Sequence, residues 1–277
     1  MEEPKRVLYV SSEIFPYMPE SDISTVGRFL PQGVQENGKE IRSFMPRYGV
    51  INERRNQLHE VIRLSGMNIV IGNADRPLVI KVSSISSARM QVYFIDNEDY
   101  FHRKAVYTDQ DGEYFKDNDE RAVFFARGVL ETVKKLRWKP DIVHCQGWIS
   151  HVFPILLKKA YHEDPIFTDA KVVLSLYNDG LDMTFRDDMA QKIQYGNITA
   201  ADTAVLSPAN GINLAKLAVQ YSDGIIEGTP ATDPQIAAFA REKGIPVLPY
   251  VAAGAQDTAF IAAYNSFYDK ISENETK

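Results

Sequence analysis

The chain has 277 residues, 44% of them hydrophobic and 25% charged, which suffices for one large α/β domain or two small ones with a real core. A net charge of −6 offers no basic field to nucleic acid or anionic lipid. The single cysteine, Cys145, cannot form an internal disulfide, and no run approaches the ~18 apolar residues of a membrane span, so a cytoplasmic protein is expected.

After a charged start the chain enters an apolar strand over residues 6–11. Further strands are expected over 40–45, 78–83, 91–95, 141–145, 171–176, 224–226 and 246–250. Several are continuous apolar runs, the pattern of strands covered on both faces of a parallel sheet. Residues 78–83 and 91–95 read as a hairpin-like pair at an antiparallel edge. Helices are expected over 23–37, 118–137, 148–161, 212–221, 234–243 and 258–271. The clearest is 118–137, where Ala122, Phe125, Ala126, Val129, Leu130, Val133 and Leu136 share one face. Asp117 reads as its N-cap with Glu120 as capping-box partner, Lys134, Lys135 and Arg137 suit its C-terminal dipole, and Pro140 stops it. The alternation of strand and helix predicts an α/β fold with a doubly wound, Rossmann-like, mostly parallel sheet. The polar end, residues 272–277, is expected to fray.

No Gly-x-Gly-x-x-Gly follows the first strand, and Walker A, His-Glu-x-x-His and Gly-x-Ser-x-Gly patterns are absent. No nucleotide cofactor or metal is therefore expected. Asp109 and Asp111 have the spacing of a metal-holding Asp-x-Asp pair, but the residues around them favour a solvated turn. His144, Cys145 and His151 lack the second ligand cluster of a zinc site. His144 still lies at a strand end, where open α/β sheets bind ligands.

Beyond these patterns, residues 7–17 (VLYVSSEIFPY) resemble the opening strand of ADP-glucose-dependent glycogen and starch synthases, which reads like VLFVASEVAPF. Residues 45–49 (MPRYG) resemble that family's LPRYG, and 117–125 (DNDERAVFF) its DNxxRFxxF. Residues 140–148 (PDIVHCQGW) resemble PDVVHxHDW, 173–178 (VLSLYN) resemble FTIHN, and 211–223 resemble xxNxLKxGIxxAD. Order and spacing hold from Val7 to about Gly228. The resemblance implies the N-terminal half of a GT-B glycosyltransferase, the half that presents the glucan acceptor side. It implies one such domain over 1–277, without the C-terminal nucleotide-binding domain.

Residues of the family type are Glu13, Arg47, Tyr48, Asp117, Asn118, Arg121, His144, Trp148 and Asn178, and the resemblance makes them the candidate substrate-binding set. Asp117 and Asn178 match positions that contact sugar hydroxyls in the family. Each residue also has a structural reading: Asp117 as a helix cap, Asn178 in a turn, Trp148 packed at a helix start and His144 packed on a strand. Arg121 would pair with Asp117 or Glu120, and Glu13 would pair with Arg47. Two departures bear on chemistry. Pro19, Ser21, Asp22 and Ile23 stand where the family has a Lys-x-Gly-Gly-Leu loop, which puts a carboxylate where the diphosphate would lie. Gln146 and Gly147 replace a His-Asp pair, and Ile149 replaces a histidine beside the reacting sugar, so no catalytic residue is assigned.

Three functions follow as expectations. The chain is the acceptor half of a glucosyltransferase that needs a separate donor-domain partner; or a degenerate homologue that binds an α-glucan or a sugar nucleotide; or an interaction protein whose bared cleft face meets solvent, a partner or a second copy, while the apolar stripe of the 258–271 helix packs back on the domain or, as the alternative, forms a dimer surface. The second is preferred, because the loop lysine and the histidine are gone while Asp117 and Asn178 remain.

Overall fold

A computed structural model describes residues 3–255 and 258–273. Ten strands form it: β1 (Arg6–Ser11), β2 (Glu40–Pro46), β3 (His59–Glu60), β4 (Met67–Ile71), β5 (Ala74–Ile85), β6 (Met90–Asp96), β7 (Ile142–Gln146), β8 (Lys171–Leu176), β9 (Gly224–Glu227) and β10 (Val247–Leu248). Their order is β10-β9-β8-β7-β1-β2-β6-β5-β3, with β4 paired to β5 off this path. Every pair from β10 to β6 is parallel, and the β6–β5, β5–β3 and β5–β4 pairs are antiparallel. The expected antiparallel edge is present. Its strand β5 is longer than expected, and β3 and β4, which the sequence pattern did not suggest, extend it.

The central strands alternate faces with period two, and each face buries a separate core. Val7 and Tyr9 of β1, with Ile142 of β7 and Val173 of β8, face α1 (Asp22–Glu36) and the C-terminal helix. Leu8 and Val10, with Val143, Cys145, Val172 and Leu174, face the opposite layer. That layer holds α2 (Glu98–Phe101), α3 (Asn118–Leu136), α4 (Phe153–Ile155), α5 (Met189–Ile193), α6 (Gly211–Gln220) and α7 (Pro234–Glu242). The last helix, α8 (Ala259–Glu273), packs back on the sheet and buries Phe260, Tyr264, Phe267, Tyr268 and Ile271. It touches α1 closely: a Cβ on Gly33 would lie 2.5 Å from the Ile261 side chain. Of the two roles expected for its apolar stripe, packing back on the domain is the one observed. Ser272 and Glu273 belong to its last turn, and the expected frayed residues 274–277 lie outside the described residues.

Two local expectations are corrected. Residues 148–161 form no single helix; a 3-10 turn (Trp148–Ser150), α4 and a π turn (Leu156–Ala160) follow one another. Pro154 removes an amide donor there, which breaks the regular ladder. Asp117 holds the N-cap position of α3, but its side chain makes no capping bond. Its carboxylate is taken by Arg103, whose Nη1 donates to Oδ1 at 2.7 Å, while Glu120 accepts from Tyr100 Oη and pairs with Arg186. A charge-assisted bond to a guanidinium outcompetes a cap.

Candidate functional site

The C-terminal ends of β1, β2, β7 and β8 meet in one region, the place where open α/β sheets hold ligands. Beyond β1, the Glu13 carboxylate accepts a hydrogen bond from Ser21 Oγ at 2.6 Å. Ser21 caps α1 reciprocally with Ser24: Ser24 N–H donates to Ser21 Oγ at 3.0 Å, and Ser21 N–H to Ser24 Oγ at 2.8 Å. Asp22 adds a carboxylate in the first turn. A helix N-terminus attracts anions through its free amides and its dipole. Here two serines and two carboxylates of the chain itself already occupy that position.

Between β7 and β8 the loop after β8 brings a carboxylate beside Gly147. Gly147 has φ +81°, and a Cβ there would lie 2.0 Å from Ser12 Oγ, so only glycine fits. The Asp179 carboxylate, from the loop after β8, reaches within 3.3 Å of where that Cβ would be, and its Oδ2 accepts the Trp148 N–H at 2.8 Å. Asp179 thus places a carboxylate from the next loop beside residue 147. Burial raises its pKa to about 6; the Trp148 amide opposes that change and Glu13 adds to it. Among the described residues its Oδ1 is enclosed without a hydrogen-bond partner, as are Ser12 Oγ and Trp148 Nε1.

The candidate residues divide into a supporting wall and a few groups at the mouth. Tyr48, Asn118 and Arg121 are enclosed and bonded to one another's surroundings. Tyr48 Oη is 2.7 Å from Tyr107 Oη, Asn118 Nδ2 donates to the Tyr107 carbonyl at 3.0 Å, and Arg121 donates to Asn118 Oδ1 at 2.7 Å and to the Tyr100 carbonyl at 2.9 Å. Arg121 therefore makes neither expected bond, to Asp117 or to Glu120. Arg47 turns away from Glu13 and pairs with Glu53 and with Asp96, the latter at 3.4 Å. The expected Glu13–Arg47 pair is absent, since Ser21 holds Glu13. Trp148 is buried edge-on to Tyr107, ring centroids 4.9 Å apart, rather than presented as a platform. Asn178 commits both ends of its amide to the next loop: Nδ2 donates to the Ala231 carbonyl at 2.7 Å and Oδ1 accepts Asp233 N–H at 3.0 Å.

His144 is fully enclosed under α8. Its Nδ1 accepts from Gln146 Nε2 at 3.2 Å and lies 2.6 Å from Tyr268 Oη, which leaves Nε2 to donate to Ser175 Oγ at 2.7 Å. Burial lowers its pKa to about 3, so it is neutral and pins α8 to the sheet. Ile149 is fully buried. Asp109 Oδ1 closes its own turn through the amides of Asp111 and Glu113, at 2.9 and 3.0 Å. Among the described residues no group of three or more His, Cys, Asp or Glu is placed to hold a metal ion, and no helix is long and apolar enough to cross a membrane.

A groove of about 720 Å³ opens at this mouth, lined by the 13–21 loop together with Val50, Val106 and Tyr107. Sequence reasoning missed Phe15, Tyr107 and Asp179, because nothing in residue type or spacing marks them. A recess of similar size, about 680 Å³, lies at the opposite ends of β8 and β9, where Lys158 and Lys159 are tied to Asp223 and Asp202.

A mostly parallel, doubly wound sheet with a groove at its strand ends is a Rossmann-like domain, and the comparisons supply its family. The family model described as the starch synthase catalytic domain matches residues 6–241, and the chain belongs to that family. It is 41% identical over 174 residues to a glycogen synthase of Chlorobium limicola, a match covering 62% of this chain and 36% of that protein. It is 34% identical over 233 residues to a glycogen synthase of Chlorobaculum parvum, covering 84% of this chain and 47% of that one. The chain thus spans about a third to a half of these relatives. The catalytic domain of starch synthase IV from Arabidopsis thaliana, solved with ADP and acarbose, superposes with a TM-score of 0.74 at 16% identity, over 92% of this chain and 53% of that one. That likeness bears on the fold.

Proposed function

We propose that this chain is a carbohydrate-binding member of the starch synthase family, taking an α-glucan or a sugar nucleotide at the strand ends, and that its own residues do not transfer glucosyl units. The observation that argues against transfer is the occupied N-terminus of α1. The Ser21–Ser24 box, the Glu13 carboxylate and Asp22 stand where a diphosphate would need free amides and positive charge. Transfer also needs donors aimed at the charge that develops on the leaving group. Ile149 is apolar and enclosed, while His144 is neutral and committed to Ser175 and Tyr268. Hydroxyl recognition keeps its chemistry, since a carboxylate such as Glu13, which lines the groove, accepts sugar hydroxyls.

The nine family-type residues then act mainly by shaping the groove. Tyr48, Asn118, Arg121 and Trp148 set the Tyr107 wall, Arg103 holds Asp117, and Asn178 ties two loops together. The whole chain is read as one such domain, supported by the single ten-stranded sheet.

Purified chain incubated with radiolabelled ADP-glucose and glycogen should transfer no label yet co-sediment with glycogen. Label transfer by the chain alone would overturn the reading. Transfer that appears only when a donor domain is added would identify it instead as the acceptor half of a two-piece transferase. Neither transfer nor co-sedimentation would point to a protein partner.

A further inference from the structure

We propose that a recess at the N-terminal end of β2, built around Arg42, binds a small oxyanion through a carboxylate or phosphate group. It lies at the end of the sheet opposite the groove, and it stands on its own residues rather than on the carbohydrate-binding reading.

The recess holds about 310 Å³ and is lined from β2, from Gln91 and Tyr93 of β6, and from Trp138 in the turn after α3. Arg42 is half-buried there, with its guanidinium carbon 5.7 Å from the Tyr93 ring centroid and 5.2 Å from that of Trp138. Both rings are themselves fixed. Tyr93 stacks on Phe44 at 4.9 Å, and Trp138 Nε1 donates to Glu40 Oε2 at 3.3 Å. Arg42 Nη1 donates to Tyr93 Oη at 2.5 Å. A guanidinium held this way is already placed for a ligand and loses little freedom on binding.

The opposite edge of the same guanidinium is unused. Among the described residues Nε is enclosed with no hydrogen-bond partner, and Nη2 makes no hydrogen bond. Those two nitrogens carry the parallel N–H groups that match two oxygens of one carboxylate or phosphate. The charges nearby are spent elsewhere. Lys39 pairs with Asp269 at 3.1 Å, and Glu40 with Arg6 at 3.0 Å. Arg42 is therefore the cation of this recess that has no ion pair among the described residues. Gln35 and Gln91 line the same space with amides that both donate and accept, which suits polar substituents beside the anion. The volume is at the small end of the ~300–1,000 Å³ typical of ligand sites, which fits a small molecule rather than a polymer.

The test uses the chain's two tryptophans, Trp138 at the recess and Trp148 beside the Tyr107 wall of the groove. NMR spectra of the isotope-labelled full chain are followed while sodium phosphate and, separately, sodium acetate are added at constant ionic strength. The Trp138 indole N–H and Arg42 Nε–H signals should move saturably, and the Trp148 indole should stay in place. Saturation by phosphate alone would assign a phosphate ligand, and by acetate alone a carboxylate. Arg42→Lys keeps the charge and removes the fork, and should weaken binding at least about tenfold, the loss of one charge-assisted hydrogen bond. Arg42→Gln should abolish it, with the urea midpoints of both variants checking that the fold is intact. Shifts that never saturate with either anion, equal movement of both indoles, or unchanged binding in a folded Arg42→Lys would each overturn the proposal, and none of these bears on glucan binding.

Discussion

Asp179→Asn isolates the carboxyl that lies beside Gly147. In the folded chain it ionises near 6, against an ordinary value of 3.8. A raised pKa in an acid means that the unfolded chain releases the proton first. Below about pH 4 both states are protonated and the difference has no effect on stability. Between about 4 and 6 only the unfolded state ionises, so stability falls as pH rises, and above 6 the full penalty persists. The gap between 3.8 and about 6 corresponds to up to about 3 kcal/mol. Asp179 is only partly buried, and screening by nearby water reduces this to about 1–2 kcal/mol. Asparagine keeps an oxygen to accept the Trp148 N–H at 2.8 Å but cannot ionise. Urea unfolding of both proteins from pH 4.5 to 7.5 should show the stability difference moving toward the variant by that amount. A difference that stays constant across this range would refute the reasoning, as would movement toward wild type.

Other perturbations follow from the same contacts. Gly147→Ala places a Cβ 2.0 Å from Ser12 Oγ in a backbone region reserved for glycine, and should lower the unfolding free energy by at least about 1–3 kcal/mol in urea. Asp119 is fully buried and receives Arg186 at 3.0 Å and Lys192 at 2.8 Å, and Asp119→Ala removes that shared anchor while Lys192 keeps Asp188 at 2.7 Å and Glu120 at 3.4 Å. That should cost about 1–3 kcal/mol and raise amide exchange over 186–193 before the rest of the chain. Tyr268→Phe removes the hydroxyl 2.6 Å from His144 and should cost about 1 kcal/mol, with no change in glucan binding, because the pair lies under α8 rather than at the groove. A double-mutant cycle on Arg103 and Asp117 should return a coupling of about 1 kcal/mol; additive losses would mean that Asp117 acts as a cap after all.

The parallel core was legible because its signal is local. Largely apolar runs at β1, β7, β8 and β9, separated by amphipathic segments, admit few arrangements other than a sheet covered on both sides. The ordered motifs from Val7 to Gly228 carried the family, which the match over 6–241 establishes. The 148–161 segment was misread for the same reason: apolar spacing there is helical, yet Pro154 and burial on all sides impose three short turns.

The site was legible in residue types and not in contacts. Arg47 turns from Glu13 to Glu53 and Asp96, Asp117 from its cap to Arg103, and His144 toward Tyr268, 124 residues away. Charged and polar side chains have several chemically adequate partners in any chain, and which one is chosen depends on distances set by packing. Asp179 shows this most plainly. Residue 147 is a glycine in the sequence, and only the folding of β8 beside β7 brings a carboxylate from the next loop to its position. Backbone periodicity is written along the chain, whereas the chemistry of a groove between strand ends arises from residues the chain keeps far apart until it folds.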